Sequence, residues 1–89
     1  MSQGSTTTNH SKIRRWAEAR GGRPARVKGT GNNKNDPGLL RFDFGEADEK
    51  LEEISWEDFF KKFEESKLAL IYEDKKDSRF NKLVQRDKS

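Results

Sequence analysis

Apolar residues are sparse along this chain, and where they occur they fall into runs with a definite period. Ile13, Trp16 and Ala17 stand at i, i+3 and i+4, the spacing of one helix face. Ser11 precedes them as a cap, Gly21 follows where a left-handed residue ends a helix, and Pro24 prevents continuation; the pattern predicts a helix over 12–20. From Pro24 to Lys28 the period changes to two. Ala25 and Val27 alternate with Arg26 and Lys28, which predicts a half-buried strand with both cations turned to solvent. A turn-rich link over 29–38 follows, holding Gly29, Gly31, Asn32, Asn33 and Asp36-Pro37-Gly38. Leu39 to Phe44 then predicts a second strand with Leu40, Phe42 and Phe44 inward, paired with the first as a long-looped hairpin.

The strongest local signal comes next. Ser55 caps a helix with Asp58 at its third position, Ile54 and Phe59 occupy the places of a hydrophobic staple, and Phe59, Phe60 and Phe63 make an inward stripe. Glu57 and Asp58 suit the positive end of that helix and Lys67 the negative end. Lys67 to Tyr72 is apolar on both faces, as a central strand is. Ser78 to Arg86 fits a helical turn through Phe80, Leu83 and Val84, or a strand through Phe80, Lys82 and Val84. Met1 to His10 is polar and aperiodic, which predicts a disordered tail. The expected architecture is α+β: a small three-stranded antiparallel sheet, two helices packed on one face, and a short C-terminal element. The expected organisation is a tail over 1–10, a single domain over 11–86 and a terminal tail over 87–89.

Composition changes the picture in two ways. At 89 residues with 29% hydrophobic content the chain has room for one small core, and without cysteine it has neither disulfides nor thiolate chemistry. With no apolar stretch of membrane-spanning length and no signal-peptide core, a cytoplasmic protein free of the membrane is expected. The net charge of +3 hides three blocks. Residues 1–41 hold nine Lys/Arg against two acids (+7), residues 42–74 four against twelve (−8), and residues 75–89 six against two (+4). Opposite blocks can pair within one domain. A basic face can also be offered to a polyanion.

Candidates for catalysis are few. His10 is the only histidine and falls in the expected tail, away from any nucleophile. Glu46, Asp48, Glu49, Glu52 and Glu53 flank a loop and suit a solvated surface better than an active site, and they lack calcium-loop spacing. Asp43-Phe44-Gly45 spells a kinase tripeptide without the rest of a kinase, and Gly29-Thr30-Gly31 lacks the ending and helix of a phosphate loop. Trp16 and Trp56 sit at helical spacing from other apolar residues and are expected in the core. No enzyme activity and no cofactor are expected. What lacks a structural reason is the basic series Arg20, Arg23, Arg26 and Lys28, a stripe suited to phosphate contacts although no recognition motif accompanies it.

Three segments, 13–30 (IRRWAEARGGRPARVKGT), 51–74 (LEEISWEDFFKKFEESKLALIYED) and 78–86 (SRFNKLVQR), resemble a family of small bacterial proteins of unknown function, some of which carry the name 1,4-alpha-glucan branching enzyme. The resemblance implies a bacterial cytoplasmic domain and brings no catalytic or binding residue with it. The activity in that name needs a barrel of roughly 250 residues with carboxylates at its strand ends, which a chain of 89 residues cannot contain. The function expected is a monomeric, non-enzymatic module whose basic face takes nucleic acid or another polyanion, such as an acidic protein, weakly and without specificity. The alternative is a protein-interaction module using the acidic stretch 46–53 or the aromatic helix.

Overall fold

The computed structural model describes residues 4–30, 38–45 and 49–86. Its elements run β1 (Ser5–Thr7), α1 (His10–Ala19), β2 (Arg23–Val27), β3 (Leu40–Asp43), β4 (Leu51–Glu53), α2 (Trp56–Glu65), β5 (Leu68–Tyr72) and β6 (Asn81–Gln85). The fold is α+β, as expected, but its strands form two antiparallel three-stranded sheets rather than one, ordered β1-β5-β6 and β3-β2-β4. The expected hairpin is present, with Pro24 opposite Phe42 and Arg26 opposite Leu40. β5 is the central strand of its sheet, as its two apolar faces require. Among the described residues no helix is long and apolar enough to cross a membrane.

Two strands depart from expectation, and a third settles the open choice between a helical turn and a strand. Ser5–Thr7, placed in a tail, pairs with Leu70–Tyr72 as the edge of the first sheet. Leu51–Glu53 pairs with Ala25–Val27 on the side of β2 opposite β3. The terminal element is a strand, because Asn81–Gln85 completes the other side of β5. The tail over 87–89 and most of the turn-rich link lie outside the described residues.

Each helix is ended by local chemistry. Asn9, not Ser11, caps α1, its side chain accepting from the Lys12 amide at 2.9 Å. At the other end the amides of Gly22 and Gly21 return to the carbonyls of Ala17 (2.7 Å) and Glu18 (3.1 Å), a paired closure that needs the left-handed φ of 73° at Gly21. Gly22 serves a different purpose: a Cβ there would stand 2.8 Å from the Phe44 ring. Ser55 caps α2 as expected, accepting from the Asp58 amide at 2.9 Å. Lys67 closes α2 with a left-handed φ of 52° instead of opening the next strand.

The core joins the two sheets through the helices. Ile13, Trp16 and Ala17 of α1 and Phe59 and Phe63 of α2 pack with Leu40, Phe42, Leu70 and Tyr72. Trp16 spans both sheets, 5.7 Å from Phe42 and 6.0 Å from Tyr72 between ring centroids. Phe60 is only half-buried, stacked 4.1 Å from the His10 ring on one side and 5.4 Å from Trp56 on the other.

Candidate functional site

The facing of β2 departs in part from what its alternation suggested: Ala25 is fully buried, as expected, but Arg26 shares a face with core residues of β3. Paired residues of an antiparallel ladder share a face. Arg26 pairs with Leu40 and Pro24 with Phe42, so the face carrying Arg26 is the one that carries the core residues of β3. Ala25 and Val27 lie on the other face with Arg41, Glu53 and Leu51. Arg26 is accordingly not turned to solvent: its side chain is 28% exposed, and its Nε and a terminal nitrogen both reach a Glu52 carboxylate oxygen at 2.7 Å. Arg23 is well exposed and lies 3.4 Å from Glu53. Lys28 is exposed, with its backbone amide bound to the Lys50 carbonyl. β4 thus sets two carboxylates beside two of the strand's cations, and the opposite charge blocks meet within the fold.

Arg20, grouped with that stripe on the sequence, sits elsewhere. It caps α1, stacks its guanidinium 4.7 Å from the Trp16 ring, and donates to the Trp16 carbonyl at 3.0 Å. The same group also donates to the carbonyls of Glu73, Lys75 and Ser78 in the β5–β6 connection. The Trp16 indole N–H adds a 2.8 Å bond to the Glu73 carbonyl. Within the connection, the Ser78 hydroxyl donates to the Glu73 carboxylate and accepts from the Phe80 amide, while the Ser78 amide bonds the Lys75 carbonyl at 3.1 Å. One arginine therefore pins an eight-residue loop to the helix end. Every acceptor it uses is a neutral carbonyl, so its positive charge is not neutralised.

Around this anchor two shallow clefts meet at Ala19 and Arg20. One is walled by Lys12, Arg15, Tyr72 and Asp74, the other by Lys76, Asp77 and Arg79. Five cations thus face two acids. Among the described residues no carboxylate is ion-paired with Lys12, Arg15, Lys76 or Arg79; the pairs formed are His10–Glu64, Arg14–Glu18, Arg23–Glu53, Arg26–Glu52 and Arg86–Glu64. Sequence reasoning missed the loop cations because Asp74, Lys75, Lys76 and Asp77 carry no apolar period and no motif. The net +4 of residues 75–89 was the available signal.

The remaining candidates are structural. His10, expected in a tail, opens α1 and places Nε2 2.7 Å from Glu64. Hydrogen bonds from Arg86 first and His10 second hold the Glu64 carboxyl below the usual carboxylate range. Trp16 is buried, as expected, while Trp56 is half-buried and lines a cleft where Glu18 and Glu53 offset Arg23. Of the acidic stretch, residues 46–48 lie outside the described residues, and Glu52 and Glu53 are the partners of β2. Among the described residues no three His, Asp or Glu side chains converge as a metal ion would require. Comparison of the chain with family models, curated proteins and solved structures finds no match.

Proposed function

We propose that this protein is a small, non-enzymatic binding module that presents a basic face to a polyanion. The face is the outer flank of α1 together with the loop between β5 and β6. The observation that carries this reading is the anchored loop: Arg20 fixes the backbone from Glu73 to Ser78, and that backbone holds Lys76 and Arg79 beside Lys12 and Arg15 without neutralising partners among the described residues. A loop already ordered before contact loses little conformational entropy on binding, and cations without a carboxylate partner bring no ion pair that must first be broken. Of the four residues expected from the sequence, Arg20 belongs to this face, while Arg23 and Arg26 are engaged with Glu53 and Glu52.

Contacts of this kind act by releasing counterions, so binding weakens with salt and shows little sequence preference; the dissociation constant is expected at roughly 10⁻⁴–10⁻⁶ M at physiological salt. Asp74 and Asp77 keep it at the weak end. The alternative of a protein-interaction surface on α2 is less favoured, because Phe59 and Phe63 are fully buried. An NMR titration with an oligonucleotide at low salt tests the proposal residue by residue. Shifts confined to residues 12–20 and 73–82 are expected; shifts confined to β2 and β4, or none, would reject it.

A further inference from the structure

Building on that reading, we infer that the polyanion is single-stranded nucleic acid, and that Phe80 is the side chain on which a base stacks. Among the described residues Leu39 and Phe80 are the exposed large hydrophobics, at 54% and 50%, and Phe80 is the aromatic one. The other described phenylalanines are buried or packed against the core. Phe80 stands where the anchored loop runs into β6, and its amide is fixed to the Ser78 hydroxyl at 3.2 Å. Ser78 is itself held through Glu73 and Arg20. The ring therefore projects from a backbone that is already ordered.

Its neighbours supply charge. Arg79 precedes it and lines the basic cleft, and Lys82 follows two residues later, about 7 Å along an extended chain. Lys82 pairs with Ile71 in the ladder, on the sheet face turned away from Leu70 and Tyr72, and among the described residues no carboxylate is ion-paired with it. An exposed ring flanked by cations is the combination that single-strand binders use, the cations tracking the phosphates and the ring taking the face of one base. A duplex hides those faces, and inserting a ring between stacked pairs costs a few kcal/mol of unstacking. Polyphosphate and acidic peptides gain nothing from the ring. Because stacking accepts any base and no side chain here is placed to read a base edge, the preference is for strandedness, not sequence.

The test uses the full chain, fluorescence anisotropy at low salt, and three probes: a labelled oligothymidylate, a duplex of equal length and, as competitor, inorganic polyphosphate. Phe80→Ala is expected to weaken oligothymidylate binding roughly 5- to 150-fold, the range for one stacked base, and to leave duplex and polyphosphate binding unchanged. Phe80→Trp should restore single-strand binding. If Lys76→Gln/Arg79→Gln abolishes binding of all three probes and Phe80→Ala alters none, the stacking inference fails while the polyanion reading stands. A loss in Phe80→Ala that is equal for all three probes also overturns the inference, since it would trace to the loop and not to a base. If the wild-type protein binds none of the probes, the polyanion reading fails and the inference falls with it.

Discussion

Two basic regions of this molecule differ in what the fold does with their charge. β2 carries Arg23 and Arg26, and β4 lies alongside with Glu52 directly opposite Arg26 and Glu53 opposite Ala25. The loop after β5 carries Lys75, Lys76 and Arg79, and its neighbour is the flank of α1 that bears Lys12 and Arg15, ending at Arg20. In the first region sequence-distant carboxylates arrive as a strand and cancel the cations. In the second a single arginine uses neutral carbonyls to hold more cations in place. The density of Lys and Arg along a chain thus says little about where a positive field survives. What decides it is the charge of the element that packs alongside.

The largest expected effect sets the scale for both regions. Phe63 is fully buried in the shared core, and Phe63→Ala should cost about 3–5 kcal/mol, measured by urea denaturation, with both regions lost together. Unchanged stability would remove this ring from the core.

Arg20→Ala separates the regions. It strips the anchor from the carbonyls of Glu73, Lys75 and Ser78 and should cost roughly 2–3 kcal/mol, given the strength of hydrogen bonds from a charged donor. Hydrogen exchange should show the Ser78 amide losing protection while the amides of the β2–β3 ladder keep theirs. Arg20→Lys should not rescue, because a lysine lacks the planar fork that reaches several carbonyls at once. Equal loss of protection in both regions would contradict the separation.

Glu52→Gln/Glu53→Gln tests whether pairing keeps β2 out of the proposed polyanion face. The exposed Arg23–Glu53 pair contributes only about 0.2–1 kcal/mol, and the Glu52→Gln change leaves a neutral amide beside Arg26, so the fold should survive. With the carboxylates gone, β2 becomes a second basic surface, and polyanion binding should tighten with a steeper salt dependence. No change in affinity would mean that pairing is not what keeps the strand out of that face.

The smallest effect concerns Glu64, an acid paired with His10 and Arg86. Its carboxyl is held low, by Arg86 first and His10 second, so it stabilises the folded chain above the ordinary carboxylate range. That contribution is lost as pH falls through the lowered folded value. Glu64→Gln should therefore lower the neutral plateau slightly and flatten the acid limb of thermal stability by the same amount, a small effect since the side chain is 45% exposed. An unaltered acid limb would show that the pair contributes nothing.

Much of the fold was legible where the signal is local. Ser55 with Asp58, the Phe59/Phe63 stripe and Gly21 each act within one helix, and each stands where its spacing implied. β5 was legible as a central strand because only a strand covered on both sides carries Leu70 and Ile71 in succession. β1 was not, since Ser5-Thr6-Thr7 has no apolar period and becomes a strand only because β5 offers it an edge. β4 has one apolar residue in three and is recruited by β2. Alternation could not say which face of β2 meets the core of β3, because Pro24 and Ala25 are both apolar. The candidate site was legible only in part, since the bonds that define it join Arg20 to residues more than fifty positions away.

The central claim is that the polyanion face lies on the anchored loop and not on β2. Binding of a labelled oligonucleotide, followed across a salt series for two double variants, tests it most directly. Lys76→Gln/Arg79→Gln should weaken binding roughly tenfold or more at low salt and lower the slope of log K against log salt concentration by about 2. Arg26→Gln/Lys28→Gln should stay within about twofold of the wild-type protein with its slope nearly unchanged. The opposite ranking, or equal losses from the two variants, would contradict the claim.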